Sequence, residues 1–516
     1  MSVFFSDDDR ALIASRGLSV EAVLGQLEIF RNGPGILHLD RPAVIGDGIT
    51  ALTEGQAEGY ASFYEAEKGL RPVKFVPASG AATRMWKALS AWRARVAAEG
   101  LHMLRRRAGE GDKEACAVLS FFENLPRFAF YGELESAAKA AGKNLAKLWE
   151  QENYGPILTL LLDRPGLGYK DIAKGLVPFH AGPAHHRTAF EEHLCEAVFY
   201  ARDENGVCRL HFTVPEAQKA LFEELLERIR PRCERDHGSV FSVEFSVQDR
   251  STDTIAAAAD FSPFRTRDGA LLFRPAGHGA LLKNLDGIRS SPIFLANIDN
   301  VVPDSAKKER ALWKKALAGL LLDVKDGVHT TLSLLKKDPA TLPAALRFAE
   351  NRLSICPPPG LPGEKLPDFL QKALDRPIRV CGMVKNLGDP GGAPFWVRRK
   401  DGGASLEIVE QAQVRRDMED QCRIFSSSTH FNPVDIVAWV HDARGRKYDL
   451  KRFTDPEAVF VSQKSQDGRE LYALELPGLW NGSMSDWITV FVDVPMCAYN
   501  PVKSVNDLLS PSHCGQ

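Results

Sequence analysis

The chain has 516 residues, of which 44% are hydrophobic and 26% are charged. Its 65 basic and 67 acidic residues nearly cancel, so the chain lacks the basic excess typical of proteins that bind nucleic acids or membrane surfaces. A chain of this length can bury a large core and usually forms more than one domain.

The nine cysteines are scattered, and no two of them form a C-x-x-C pair. This pattern indicates reduced thiols in a cytoplasmic protein and argues against a zinc cluster. The first residues, MSVFFSDDDR, lack the apolar stretch of a signal peptide. No run approaches the roughly 20 apolar residues of a transmembrane helix. We therefore expect a soluble, cytoplasmic protein that does not bind membranes or nucleic acid.

The first predicted elements surround a loop of small residues. Residues 1–70 are expected to be a helical extension, with a break near Gly33. A strand is predicted over Val73–Val76, followed by the loop 77–84 and a helix from about Met85 to Ala98. A strand, a small-residue loop and a helix in this order place backbone N–H groups where they can surround a phosphate.

Strands and helices then alternate. Residues 100–165 are predicted to be a helical insertion, and Thr188 has the spacing of a capping box with Glu191. Further elements are predicted as the strand Cys208–Val214, the helix Pro215–Arg228, and the strands Val240–Val247 and Ile293–Ile298. The alternation predicts an α/β domain with a mixed, mainly parallel sheet over residues 71–433. A smaller β-rich region is predicted over residues 434–516.

Gly80 and Asp299 each follow a predicted strand. Because parallel sheets bind ligands beyond the carboxyl ends of their strands, these two residues could share one crevice. Asp299 could hold Mg²⁺ against phosphates, or it could simply cap a helix. Arg84 could bind phosphate oxygens, or it could be a surface arginine after a tight turn.

Other polar residues have equally ordinary explanations. A lysine before glycine, as at Lys174, is typical of an exposed loop. His278 lies in a compact turn and could contact a base or be a structural histidine. Lys503 could be a plain surface lysine, Asn432 a turn residue, and Glu410 a solvated charge at a strand end. The histidines near Lys174 are interpreted as a surface loop, with a substrate role left open; they are His180, His185 and His186.

Nine short motifs occur in a fixed order from residue 78 to residue 509. They are ASGAATRM, Lys174-Gly175, Gln248, RPAGHG, NIDN, Gly391-Gly392, LEIVEQAQV, HFNPVD and NPVKSVNDLL. In this order the chain resembles the UDP-glucose and UDP-N-acetylhexosamine pyrophosphorylases, which share a Rossmann-like nucleotidyltransferase fold of the GT-A type. It also resembles, over nearly its whole length, a bacterial family known only as a domain of unknown function.

The resemblance implies a role for each matching residue. The expected phosphate-binding donors and cations are Ser79, Gly80, Ala81, Ala82, Arg84, Lys174 and Lys503. The expected contacts to the base or nucleotide are Gln248, Gly277 and His278. The expected sugar contacts are Asn297, Gly392, Glu410 and Asn432. Asp299 is expected to bind Mg²⁺ as the cofactor.

Three positions depart from the family pattern: Ala82 and Ala276 replace glycines, and Ala173 replaces a proline. Backbone N–H donors survive these changes, so phosphate binding is still expected, whereas the base and the sugar stay open. The resemblance predicts transfer of a nucleotidyl group from an NTP, expected to be UTP, to a sugar 1-phosphate. Two alternatives are a reaction with CTP or a non-sugar phosphate, and a non-catalytic protein that binds nucleotide sugars. A dehydrogenase is disfavoured because the first loop lacks G-x-G-x-x-G.

Overall fold

The computed structural model describes residues 5–80, 82–182, 185–388, 391–415 and 417–514. The α-helices within them are α1 Asp7–Ser15, α2 Val20–Asn32, α3 Glu54–Ala66, α4 Lys87–Gly109, α5 Lys113–Glu123, α6 Tyr131–Ala140, α7 Leu145–Glu150, α8 Tyr154–Leu162, α9 Ala189–Ala197, α10 Lys219–His237, α11 Leu282–Asp286, α12 Asp304–Lys337, α13 Leu342–Leu353, α14 Leu366–Leu374, α15 Glu419–Ser426 and α16 Pro511–Cys514.

The strands complete the element order. They are β1 Leu39–Pro42, β2 Val44–Ile45, β3 Gly48–Ala51, β4 Val73–Pro77, β5 Pro178–His180, β6 Arg187–Thr188, β7 Val207–Thr213, β8 Val240–Ser246, β9 Thr254–Ile255, β10 Phe273–Arg274, β11 Ile293–Leu295, β12 Ile378–Lys385, β13 Ala393–Arg398, β14 Ala404–Val409, β15 His430–Trp439, β16 Phe460–Gln466, β17 Arg469–Glu475 and β18 Ile488–Asp493.

The chain divides into two compact units, and each unit is assembled from three separate stretches. The first unit consists of Met1–Phe75, Gln248–Leu295 and Leu312–Ala498. The second consists of Val76–Val247, Ala296–Ala311 and Tyr499–Gln516. The division into consecutive segments at residues 70 and 433 remains a proposal about domain organisation. Its second boundary falls inside β15.

In the first unit, a mixed sheet has the strand order β2-β3-β18-β12-β15-β11-β4. β12 pairs in parallel with β18, and β11 pairs in parallel with β4, whereas β15 runs antiparallel to both β11 and β12. Almost every residue of β12 and β15 is buried. Their long apolar runs therefore suit central strands covered on both faces, rather than edge strands with one face in water.

The N-terminal helices belong to the first unit and begin where their sequences predict. Ser6 and Asp9 form a capping box at the start of α1, as the run of acidic residues there favours. Val23, Leu27 and Phe30 of α2 pack into one of the cores of this unit. Residues 1–70 are not purely helical, because the short strands β1, β2 and β3 separate α2 from α3.

The second unit contains the parallel pair β7 and β8, with helices packed beside it. Rings of Phe190, Phe212 and Phe222 meet between these elements, with centroids 4.6 to 5.6 Å apart. Residues 100–165, predicted to be a helical insertion, form α5 to α8 and the second half of α4, and their being an insertion stays a prediction. Its core includes Phe122 stacked on Tyr154, with ring centroids 3.7 Å apart.

The predicted α/β fold is confirmed. Parallel pairings outnumber antiparallel ones among the strands of the mixed sheet and the β7–β8 pair. Single predicted elements agree within a few residues: β4 begins at Val73, and α9 begins directly after its cap Thr188, whose hydroxyl accepts the N–H of Glu191. Within the described residues, none of the helices combines the length and the apolar character needed to cross a membrane.

Candidate active site

The small-residue loop lies in the second unit, directly after β4. Ala78 N–H donates to the carbonyl of Thr213 over 2.8 Å, which joins the start of the loop to the end of β7. Gly80 is exposed and Ser79 is partly exposed. Ala82 N–H donates to the carbonyl of Ile172 over 3.3 Å, so this predicted phosphate donor is already engaged within the protein. Ala81 lies outside the described residues.

The exit of the loop is a single 3-10 turn over Ala82–Arg84. Ala82 is buried, whereas the side chain of Arg84 is exposed just before α4 begins. A guanidinium in this position can turn toward a ligand without first leaving a buried partner. This location is compatible with both interpretations of Arg84, as a phosphate-binding residue and as a surface arginine after a tight turn.

Lys174 is paired with Asp299. The Nζ atom of Lys174 lies 2.8 Å from an Oδ atom of Asp299, and their side chains are 11% and 26% exposed. Lys174 N–H also donates to the carbonyl of Gly80 over 3.4 Å. The interpretation of Lys174 as an exposed loop lysine is therefore wrong. Within the second unit, this residue links the small-residue loop to the carboxylate predicted to bind metal.

The segment that carries Lys503 lies against the same residues. Val502 N–H donates to the carbonyl of Asp299 over 3.0 Å, and Pro501 forms an isolated bridge with Asn300. Val505 N–H donates to the carbonyl of Met85, directly after the small-residue loop, over 3.2 Å. Lys503 N–H donates to Asp507, and its ammonium lies 5.3 Å from the centre of the Tyr499 ring. Lys174 and Lys503, predicted to bind phosphate, and Asp299, predicted to bind metal, thus belong to one neighbourhood of the second unit.

Helix α9 supports the stretch around Asp299 through buried polar contacts. His193 Nε2 lies 3.2 Å from the carbonyl oxygen of Ile298. Glu196 pairs with Arg310 over 2.9 Å, and Arg310 in turn donates to the carbonyl of Asn300 over 3.0 Å. Because a buried charge is costly unless it is paired, these contacts fix the stretch 298–310 against α9.

A second buried cluster on α9 surrounds Glu192. Its carboxylate contacts the Lys307 ammonium and lies 2.9 Å from Nδ1 of His180. Burial alone would raise the pKa of Glu192, but the His180 hydrogen bond and the Lys307 charge outweigh burial and hold the pKa below its usual range. His180 is 4% exposed. The surface-loop interpretation is thus wrong for His180, although His186 is exposed and His185 partly exposed.

Most of the other predicted site residues lie in the first unit, where the turn at Gly277 positions His278. Gly277 has φ of +72°, and a Cβ there would lie 2.6 Å from an oxygen of Glu475, so the turn requires glycine. The Nδ1 atom of His278 accepts the N–H of Leu479 over 3.0 Å. In the neutral ring the proton must then be on Nε2, which lies 3.6 Å from Glu410.

Glu410 and Gly392 lie close to this imidazole. Glu410 directly follows β14, and its N–H and carboxylate form a capping box with Gln413. A Cβ on Gly392 would lie 2.6 Å from the side chain of Ile408 and 3.6 Å from that of Glu410, so the glycine lets two chain segments approach closely. The His278 Nε2–H and the Glu410 carboxylate are a donor and an acceptor of the kind that bind hydroxyl groups.

Asn432 has a supporting position. It is 5% exposed. Its Nδ2 donates to the carbonyl of Gly382 over 3.0 Å, and its Oδ1 accepts the N–H of Val434 over 3.0 Å. Its own N–H donates to the carbonyl of Gly392 over 2.7 Å. The backbone of Asn432 therefore holds Gly392, while its side chain is engaged within the protein, and a direct sugar contact stays a prediction.

Gln248 and Asn297 were assigned to the base and the sugar. Gln248 lies at the start of a stretch of the first unit, and its amide Nε2 is 3.2 Å from Asp253, which also pairs with Arg16 over 2.6 Å. Asn297 is partly exposed in the second unit, where its carbonyl accepts the N–H of Asn300. These contacts fix both residues locally, and their roles stay predictions.

Two functional candidates of the first unit escaped the sequence argument. The ring of Trp480 stacks on that of His278 at 4.3 Å and 21°. Asn481 is fully buried, and its Nδ2 donates to the carbonyl of Ile408 and to Gln413 over 3.2 and 3.3 Å. In the sequence, Asn481-Gly482 gives only a turn signal. An aromatic residue directly before such a turn was the available clue.

The chain belongs to the family described as Domain of unknown function (DUF4301), whose model matches residues 6–514. This confirms the expected membership of a family of unknown function over nearly the whole chain. No curated protein sequence matches significantly.

Solved structures that are similar to the chain include UDP-sugar pyrophosphorylases. One is the UDP-glucose pyrophosphorylase of Leishmania major, with 12% identity and a TM-score of 0.43. Another is the uridine diphosphate N-acetylglucosamine pyrophosphorylase of Trypanosoma brucei, with 12% identity and a TM-score of 0.47. Each comparison covers 98% of this chain and 79% of the other.

Proposed function

We propose that the chain is a nucleotidyltransferase that transfers a nucleotidyl group from an NTP, expected to be UTP, to a sugar 1-phosphate. The observation that carries the proposal is the contact between Lys174 and Asp299, 2.8 Å apart beside the small-residue loop. The ordered motifs of the sequence support it independently, because the same residues occupy corresponding places in the pyrophosphorylase pattern.

The reaction requires charge neutralisation more than a covalent protein group. An oxygen of the sugar 1-phosphate attacks the α-phosphorus of the NTP, a new P–O bond forms, and the bond to the β-phosphate breaks to release pyrophosphate. A phosphate monoester is largely ionised near neutral pH, so no general base is needed. Arg84, Lys174 and Lys503 would bind phosphate oxygens and stabilise the charge that develops on the leaving group.

Asp299 is the residue that would hold Mg²⁺. Magnesium in nucleotide enzymes is commonly bound by one or two carboxylates together with substrate phosphates, and the partly exposed carboxylate of Asp299 fits that donor set. When bound, the ion would neutralise phosphate charge and orient the triphosphate. Lys174 would then exchange its contact with Asp299 for one with a phosphate oxygen.

Within the first unit, His278 and Glu410 are the proposed contacts for sugar hydroxyl groups. The Nε2–H of His278 and the carboxylate of Glu410 lie 3.6 Å apart, and hydroxyl groups bind through one donor and one acceptor of this kind. The ring of Trp480 keeps the imidazole in one orientation. Gly392 and Asn432 shape this neighbourhood.

Pyrophosphate release across a panel of NTPs and sugar 1-phosphates, with Mg²⁺ present, tests the proposal. We expect turnover with UTP and at least one sugar 1-phosphate. Turnover only with CTP, or only with a non-sugar phosphate, would show that the chain catalyses a different nucleotidyltransferase reaction. Binding of UTP without turnover of any pair would contradict the enzymatic proposal and favour a nucleotide-sugar binding protein.

A further inference from the structure

Helices α9 and α10 of the second unit each carry two metal-binding residue types one helical turn apart. Glu191 and Cys195 are four residues apart on α9, and Cys233 and His237 are four residues apart on α10. Residues with this spacing lie on the same face of a helix. Since α9 packs against α10, the two faces can meet.

The side chains on these faces converge. One carboxylate oxygen of Glu191 and the Sγ atoms of Cys195 and Cys233 all lie within 4.8 Å of one another. The three residues are 2%, 1% and 2% exposed. His237 lies one helical turn after Cys233 on the same face of α10 and is partly exposed. Two sulfurs and one carboxylate oxygen therefore converge, and the imidazole of His237 is the nearest candidate on α10 for a fourth ligand.

The surroundings of this cluster resemble the outer shell of a metal site. The Glu191 carboxylate accepts a hydrogen bond from Arg232 over 2.6 Å and lies 3.0 Å from Nε2 of His185. Partners of this kind orient a ligating carboxylate. Two thiolates and one carboxylate would carry three negative charges against the two of a divalent cation, and the Arg232 guanidinium compensates the remaining one.

We propose that Cys195, Cys233, His237 and Glu191 form a structural Zn²⁺ site. Thiolate and imidazole ligands select zinc over magnesium or calcium, and four protein ligands leave no open position for a substrate. Binding releases the two thiol protons to water, and His237 coordinates through its unprotonated nitrogen. The site does not depend on the proposed nucleotidyl transfer.

Such a site would fix α9 to α10. Helix α9 is also the element that holds the stretch around Asp299, through His193 and Glu196. Zinc would therefore maintain the position of this stretch from a distance, without contact with a substrate. Loss of the metal should lower the unfolding temperature of the chain and disturb the Asp299 region.

Zinc content of the purified full-length chain tests the proposal. After expression with added zinc and dialysis against a weak chelator, we expect about one zinc per chain. Cys195→Ser and Cys233→Ser should each lose most of it. Cys208→Ser is the matched control, because Cys208 is also buried in the second unit, on β7, and is not part of the cluster. Absence of zinc, or zinc retained in both cysteine variants, would overturn the proposal.

X-ray absorption on the unsubstituted protein keeps the test valid if the variants do not fold. We expect two sulfur neighbours at about 2.3 Å and lighter neighbours at about 2.0 to 2.2 Å. A zinc shell of nitrogen and oxygen alone would contradict the assignment. A chain that lacks zinc and releases pyrophosphate would refute the zinc site and leave the proposed function intact. A chain that binds zinc and shows no turnover would support the zinc site and contradict the proposed function.

Discussion

Glu192 in the second unit and Glu407 in the first are both buried carboxyl groups, but their surroundings act on them in opposite ways. Glu192 is surrounded by His180 and Lys307, and its pKa is lowered although burial works against ionisation. Glu407 has the Ser405 hydroxyl as a hydrogen-bond donor, and burial raises its pKa to about 7. Adjacent cations thus favour the ionised form of Glu192, whereas at Glu407 burial dominates and favours the neutral acid.

The predicted site residues of the two units also differ in how they are held in position. In the second unit, Lys174 and Asp299 form a partly exposed ion pair, which suits a role in balancing phosphate charge. In the first unit, His278 and Glu410 are positioned by stacking, by a turn that requires glycine and by backbone hydrogen bonds. We therefore expect substitutions in the second unit to lower kcat, and substitutions in the first to raise KM for the sugar phosphate.

The largest effect is expected for Asp299→Ala. Loss of the carboxylate that would hold Mg²⁺ should lower kcat by about 100- to 1000-fold, because charge stabilisation dominates this type of reaction. Steady-state pyrophosphate release measures it. Glu227→Ala, an exposed position on α10 of the same unit, should keep full activity. Unchanged turnover in Asp299→Ala would refute the metal assignment.

Glu407→Gln should change the pH dependence of stability. The folded-state pKa of about 7 lies above the ordinary 4.5, so Glu407 stabilises the fold fully below pH 4.5, and that contribution is lost as pH rises through 7. The difference corresponds to at most roughly 3 kcal/mol. Since glutamine stays neutral, the variant should unfold at a higher temperature than the unsubstituted chain at pH 8, and at a similar one at pH 5.

The control for this measurement is Glu364→Gln, at an exposed position of the same unit. Its unfolding temperature should follow that of the unsubstituted chain at every pH. Parallel pH profiles for Glu407→Gln and the unsubstituted chain would show that Glu407 ionises normally. The contrast with Glu192 would then be wrong.

Lys174→Ala should lower kcat about 10- to 100-fold, less than the loss of Asp299, since other cations share the phosphate charge. The double variant Lys174→Ala/Asp299→Ala distinguishes a functional unit from two separate effects. We expect the double variant to be about as slow as Asp299→Ala alone, because the two groups act together. Fully multiplicative losses in kcat would show that the pair is not coupled in the reaction.

The smallest effect is expected for Glu410→Gln. One hydrogen bond from a sugar hydroxyl to a carboxylate contributes about tenfold in affinity, so KM for the sugar 1-phosphate should rise about tenfold while kcat stays nearly constant. KM for the NTP should not change. A fall in kcat comparable to that of Asp299→Ala would remove the distinction between the two units.

Local features of the fold were predictable because they depend on neighbouring residues. The capping box at Thr188 starts α9, and the apolar run at Val73 forms β4. The ends of elements were predicted less accurately. The strand predicted to reach Ile298 stops at Leu295, because Asn297 and Asn300 form a turn there. The sequence could not predict that the chain passes back and forth between two units, because that path depends on contacts between stretches far apart in the sequence.

The site was predictable as an ordered set of residues and not as a geometry. The burial of Lys174 depends on a partner 125 residues away, and the stack on His278 depends on a tryptophan about 200 residues away. The expected absence of a zinc cluster rested on the missing C-x-x-C motif. That motif describes ligands in loops, whereas the ligands proposed on α9, Glu191 and Cys195, are spaced by four residues.

The last stretch of the second unit has a consequence for synthesis of the chain. Val502 and Val505 donate to the carbonyl groups of Asp299 and Met85, and Pro501 pairs with Asn300. A ribosome translates those acceptors long before it reaches Tyr499. The nascent chain can fold the remainder of this unit early, but the neighbourhood of Asp299 closes only when the final codons of the stretch have been read. The neighbourhood of Asp299 would then be completed only after this stretch has left the ribosome, and a chain stopped before Tyr499 would keep Lys174 and Asp299 in an unfinished site.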